Sequence, residues 1–297
     1  MPCNPFLVEV GFFMKISLRI LRFSCLLVFS ASLMAVDEER KIRQAMPEKL
    51  QAVPAKKYKA LVYSNSSGFK HKSIPTGVKA LKIMGEKTEV FTADFTVTTE
   101  KFTPEGLSPY DLLIFNNCTR VQKAFTKNEQ RQTILDFIKQ GKAFVGFHAA
   151  SDGGTPQWKE YTEMIGGCFA GHPWNAGGKW PFIVEDPEHA VNQAFASKEF
   201  SFSDEIYQYK DYNRSKLRVL IGLDAIKSGK EGNSPTNDYP VSWVKSYGKG
   251  RIFYSNFGHN KATWWTPFLL QHFLDGIQWA LGDLEGSSES LPQPIKI

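Results

Sequence analysis

The stretch Ala143-Phe144-Val145-Gly146-Phe147-His148-Ala149-Ala150-Ser151-Asp152 joins an apolar run to a turn of small residues. Five apolar or small residues in succession fit a strand covered on both faces, as in a parallel sheet buried between helices. Gly146-x-His148-x-Ala150 has the small residues of a strand–turn–helix elbow, which exposes its central side chain. That side chain is His148, where a hydrolase of this geometry carries Ser or Cys. An imidazole is a poor acyl carrier but suits proton transfer or metal binding. Asp152, four residues on, is placed to orient His148, to share its ligand, or simply to cap a following helix. These alternatives stay open at this point.

Outward from this strand the same pattern repeats. Lys59–Tyr63, Thr88–Thr92 and Leu112–Phe115 are strand-like, while Thr76–Met84 and Thr126–Gln140 are helical. Ile134, Leu135 and Ile138 fall at helical spacing, and Gly141 stops that helix. Further on, Trp158–Ile165 is helical, and Phe182–Val184 and Arg218–Ile221 are strands. Val241–Lys245 and Arg251–Ser255 form a hairpin across Ser246–Gly250. Pro267–Leu281 is an apolar helix that docks on the sheet. Strands alternating with helices predict an α/β fold, a parallel sheet with helices on both faces. No linker-like stretch divides Tyr58 from Leu284, so 58–284 is expected to be one domain.

The ends are expected to differ from this body. Met14, a candidate true start, precedes Lys15, Arg19 and Arg22, the apolar run Phe23–Met34, and Ala35. This order predicts a secretory signal peptide over 1–35 and hence an exported, periplasmic or secreted protein. The run falls short of the ~20 apolar residues that span a bilayer, so no membrane association is expected after cleavage. Cleavage lowers the net charge from +6 to about +4. The remaining Lys and Arg are scattered, and no nucleic-acid-binding module is visible. Residues 36–57, charged and holding Pro47 and Pro54, predict a linker, and 285–297 a flexible tail. Cys118 and Cys168 remain after cleavage; buried free thiols are the plainer reading, although export permits one bridge.

Ligands of an open parallel sheet bind beyond the carboxyl ends of its strands. The polar groups expected there are Ser67–His71, Asn116–Thr119, Gly146–Asp152, Gly171–Trp174, Asp204–Tyr207 and Asn256–His259. They include His71, His148, His172 and His259, four of the six histidines. A single histidine is more often structural than catalytic; four at strand ends predict a shared cleft. Trp174 and Tyr207 adjoin these groups and suit contact with a sugar ring, whose C–H faces pack on aromatic rings.

Several segments together resemble the ThuA-like (trehalose-utilisation) family. They are Gly146–Asp152, Gly166-Gly167 with Gly171-His172-Pro173, Asp204-Glu205 with Tyr207, Asp224, Pro240–Trp243, Gly250–Tyr254 running to Gly258-His259, and Ile277–Ala280. The resemblance implies a flavodoxin-like three-layer sandwich, related to the class I glutamine amidotransferases, with a mostly parallel sheet. The amidotransferase cysteine is missing from the elbow, so that chemistry is not expected. The family implies a sugar substrate, a disaccharide or keto-glycoside, and hydrolase, lyase or isomerase chemistry. Its polar positions correspond to His71, His148, Asp152, His172, Glu205 and His259. The expected catalytic groups are His148, Asp152 and Glu205. His71, Asn117, His172, Trp174, Tyr207 and His259 are expected to bind substrate. A divalent ion such as Zn²⁺ is the candidate cofactor, with His148, His172 and His259 as candidate ligands. The alternatives are a non-catalytic carbohydrate-binding protein and a metal-dependent hydrolase of a sugar ester or amide. The oligomeric state stays open, a homo-oligomer included.

Overall fold

A computed structural model describes residues 36–291. The signal-peptide expectation for 1–35 and the last six residues of the expected tail lie outside the described residues. The first half runs α1 (36–45), β1 (Tyr58–Tyr63), α2 (Ile74–Thr88), β2 (Phe91–Thr96), α3 (Pro104–Leu107), β3 (Leu112–Asn116), α4 (Val121–Ala124), α5 (Asn128–Lys139), β4 (Ala143–Phe147) and α6 (Lys159–Ile165). The second half adds β5 (Cys168–Phe169), β6 (Trp180–Val184), β7 (Glu199–Phe202), β8 (Tyr209–Lys210), β9 (Arg218–Leu223), α7 (Ala225–Ser228), β10 (Pro240–Tyr247), β11 (Gly250–Ser255) and α8 (Pro267–Leu281).

Nine strands form one sheet in the order β2-β1-β3-β4-β11-β10-β9-β6-β7. Pairing is parallel from β2 to β11 and antiparallel from β11 to β7. Alternate side chains of a strand point to opposite faces, and in β3 both faces are buried. Leu112 and Ile114 join one apolar cluster with Leu81, Met84, Phe273 and Ile277 of α2 and α8. Leu113 and Phe115 join another with Ile134, Ile138, Tyr161 and Ile165 of α5 and α6. The result is a three-layer α/β sandwich. β1 lies between β2 and β3, so sheet growth reverses there and opens a crevice at the carboxyl ends of the central strands.

The 36–57 segment is more than a linker. Residues 36–45 are helical, and Ile42, Ala45 and Met46 are buried in the α2/α8 cluster. Their i, i+3, i+4 spacing faces the core, while Arg40, Lys41 and Arg43 point outward and disguise the pattern. The start of the expected flexible tail is also docked. Trp279 donates to the Gly286 carbonyl (3.0 Å) and Arg218 to that of Glu289 (3.2 Å). The hairpin of β10 and β11 matches the sequence reading; β2 begins three residues late because Glu89 ends α2 in a left-handed conformation (φ 55°). Cys118 and Cys168 are both free and buried. Among the described residues, no helix is long and apolar enough to cross a membrane.

Candidate functional site

His148 is the first residue past β4 and takes a left-handed backbone conformation (φ 47°). Gly146 makes this turn compact: a Cβ there would stand 3.1 Å from both the Ala150 Cβ and the Tyr254 ring. The Tyr254 hydroxyl donates to the His148 carbonyl (2.6 Å) and also meets the Ser151 hydroxyl (2.9 Å). The His148 ring is fixed by its Nδ1, 2.7 Å from the Asn256 carbonyl. A carbonyl only accepts, so Nδ1 carries the proton and Nε2 presents its lone pair to the cleft.

That lone pair faces a carboxylate. Glu205 Oε1 lies 3.6 Å from His148 Nε2 and 3.1 Å from His259 Nδ1, and the two imidazole nitrogens are 3.3 Å apart. His71 is buried beside them, with its ring edge-on to His148 (4.8 Å) and His259 (4.9 Å). Burial alone would raise the Glu205 carboxyl, but the hydrogen bond from His259 and the His148 imidazole beside it hold it well below its ordinary range. Burial would lower His259, yet its bond to Glu205 raises it. Burial and the neighbouring His148 and His259 push His71 down to about 2.

His71, His148, Glu205 and His259 each offer one ligand atom, all within 4.8 Å of one another. Three imidazoles and a carboxylate form a donor set suited to Zn²⁺ or a similar divalent ion. His71 Nδ1 is buried without a hydrogen-bond partner, as suits a nitrogen-rich pocket built around a cation.

Asp204, fully buried beneath Glu205, holds the surrounding loops together. Its carboxylate accepts from the backbone N–H of Glu205 (3.0 Å), Gly258 (2.8 Å) and Asn260 (2.8 Å), and from the Thr263 hydroxyl (2.6 Å). The Gly258 carbonyl in turn accepts from Ser73 (2.7 Å), Asn117 (3.2 Å) and Trp264 (3.3 Å). Gly258 has φ 142°, and a Cβ there would stand 3.3 Å from that of His148.

The remaining expected site residues divide by position. His172, at the rim and half exposed, has Nδ1 3.5 Å from Glu205 Oε2. It therefore stands outside the four-residue group, in which His71 and Glu205 accompany His148 and His259. Asp152 does not orient His148; Asn256 does that, while the Asp152 carboxylate accepts from the Arg120 backbone. Burial raises the Asp152 carboxyl. Nor does it cap the next helix, whose cap residue is Trp158. Asn117, buried, ties the β3 end to Gly258. Tyr207 lies under the His148 ring at 4.4 Å and is nearly fully buried. Trp174 is corrected to a core residue: its bridge with Ile206 turns the ring inward, onto Tyr239 and the Ser228 hydroxyl. Asp204 and Asn256 stood among the strand-end polar groups, but nothing in their spacing marks them as supports. Cys118 is buried, and burial pushes its thiol up, against any nucleophilic role.

Comparison with known proteins places this architecture. The family model described as trehalose utilisation (ThuA) matches residues 59–280. A ThuA-like protein of Bacteroides uniformis superposes with a TM-score of 0.64 at 22% identity, covering 78% of this chain and 95% of that one. One of Parabacteroides merdae gives 0.57 at 18% identity, covering 80% and 94%. A cytoplasmic protein of Salmonella typhimurium gives 0.51 at 12% identity, covering 75% and 98%. No curated protein matches the chain. With its matched segment spanning the sheet, the elbow and every residue of the histidine cluster, the chain belongs to the trehalose-utilisation (ThuA) family.

Proposed function

We propose that this protein is an exported, metal-dependent enzyme acting on a sugar, with a keto-glycoside as the favoured substrate class. The observation that carries the reading is the convergence of His71, His148, Glu205 and His259, one ligand atom each within 4.8 Å. A divalent ion held there supplies Lewis acidity toward a sugar oxygen and lowers the pKa of bound water. The chain's own residues do the rest. His148, with Nδ1 tied to Asn256, keeps Nε2 aimed inward. Glu205 divides its two oxygens, Oε1 toward His148 and His259 and Oε2 toward His172. His172, half exposed on the open side, is placed to take a proton from bound substrate and pass it to solvent. General acid–base help of this kind is worth ~10²–10⁴-fold, which suits a keto-sugar whose neighbouring C–H is already acidified.

The test is metal content by elemental mass spectrometry on protein purified without chelator, beside turnover of keto-glycosides. Near-stoichiometric zinc, manganese or iron is expected, falling severalfold in His148→Ala together with activity. Wild-type protein that neither carries nor takes up such an ion sinks the reading. Metal-loaded protein that binds sugars and returns them intact favours a carbohydrate-binding role instead.

A further inference from the structure

Among the described residues, the most exposed aromatic side chain is Phe69, 66% accessible, and it borders the histidine cluster. Its ring meets His71 edge-on (4.9 Å) and lies nearly parallel to His259 (6.2 Å, 14°). Half-buried Phe169 stacks likewise on His172 (5.9 Å, 18°) and touches Tyr207 (4.4 Å). The two phenyl rings thus end a row of contacts, Phe69–His259–Glu205–His172–Phe169, polar in the middle and apolar at both ends.

Phe69 is exposed on an anchored backbone. Its carbonyl accepts from the Thr119 hydroxyl (3.0 Å), Gly68 N–H donates to that hydroxyl (3.1 Å), and Ser67 N–H donates to the Thr119 carbonyl (3.0 Å). Burying a phenyl ring is among the larger stabilising terms a side chain supplies, and the fold forgoes it here. Trp174 and Tyr207 are covered, so neither offers a free ring face.

We infer that Phe69 and Phe169 are the sugar-ring contacts of this site, and that they select pyranosides whose ring hydroxyls are equatorial, the gluco configuration. The inference rests on the reading of the cluster as a sugar site. A gluco-configured ring carries axial C–H bonds on its faces and hydroxyls around its edge. Its faces pack on phenyl rings while its edge meets His172 and Glu205. An axial hydroxyl, as at carbon four of a galactoside, turns a polar group toward a phenyl face and leaves it without a hydrogen-bond partner.

The experiment is titration calorimetry of the full chain with methyl β-D-glucopyranoside and its galacto epimer, with metal content measured on the same samples. Wild type should prefer the gluco epimer by roughly three- to tenfold, the scale of one aromatic contact. Phe69→Ala and Phe169→Ala should each remove most of that preference at unchanged metal content, and Phe69→Trp should restore it. Equal affinity for the epimers, no binding of either, or a preference untouched in both alanine variants overturns the inference. Metal-loaded protein without the preference overturns it and leaves the metal centre standing. A phenylalanine-dependent preference in protein that takes up no metal supports it while removing the metal-centred reading.

Discussion

His148 is held in a backbone region that costs a residue with a side chain about 1–3 kcal/mol, so something must hold it there. Tyr254 does, by donating to the His148 carbonyl from a fully buried hydroxyl. Tyr254→Phe leaves that carbonyl only the longer bond from the Ser151 hydroxyl (3.4 Å) and should destabilise the protein by ~1–3 kcal/mol in urea unfolding. It should also weaken metal retention more than Tyr209→Phe, whose hydroxyl meets those of Tyr254 (3.2 Å) and Ser151 but makes no bond to the His148 carbonyl. Equal metal retention in the two variants removes the positioning role. At this scale the sequence makes candidates legible but not their partners. His71, His148, Glu205 and His259 all stand in strand-end loops, a position readable from the strand pattern alone. Which atoms meet depends on how loops distant in sequence, His148 against Glu205 and His259 for example, fold inward, and no local spacing encodes that. Trp174 fails as a sugar contact for a related reason: being next to a polar group in sequence says nothing about which way a ring turns.

Helix α8 combines readable ends with a hidden interior. Pro267 in its first turn and the left-handed Gly282 after its last are visible in the sequence, and the helix spans the expected residues. Asp275 is less expected, since it is fully buried on the same helix, accepting from Gln271 (2.8 Å) with its other oxygen unpaired. Burial pushes its carboxyl up to about 7, against the Gln271 hydrogen bond and the nearby Gln51 amide, which lower it. In the unfolded chain an Asp titrates near ~4. Between pH ~4 and ~7 folding therefore takes up a proton, and stability falls as pH rises through that window. Asp275→Asn should remove this loss, raising the melting temperature at pH 8 by several degrees and changing it little at pH 4. A melting difference independent of pH shows instead that Asp275 titrates in the folded protein as it does in the unfolded chain.

Across the whole molecule, the repeated strand–helix alternation made the sandwich legible, because a strand buried on both faces has to be apolar throughout and β3 and β4 are. The antiparallel half was legible as the β10/β11 hairpin and the separate strands β6 and β9, but nothing local to β6, β7 or β9 specifies its neighbour in the sheet. The boundary of the folded unit was the hardest part to read. Residues 36–57 look like a charged linker, yet Gln51 donates to the Ala190 carbonyl (3.0 Å), Ala55 N–H to Asp283 (3.0 Å), and Glu38 accepts from Thr76 (2.7 Å). Charged residues outnumber apolar ones in α1, and only three positions on one stripe need to be apolar for it to dock. Ile42→Ala discriminates the two descriptions. In a linker the change would lie within about ±0.5 kcal/mol, as for an ordinary surface site. In a docked helix it opens a cavity in the α2/α8 layer, where Ile42 is fully buried, and should cost ~2–5 kcal/mol. Urea denaturation gives the answer directly: the midpoint should fall with an unchanged slope, since the folded unit that melts still includes the arm.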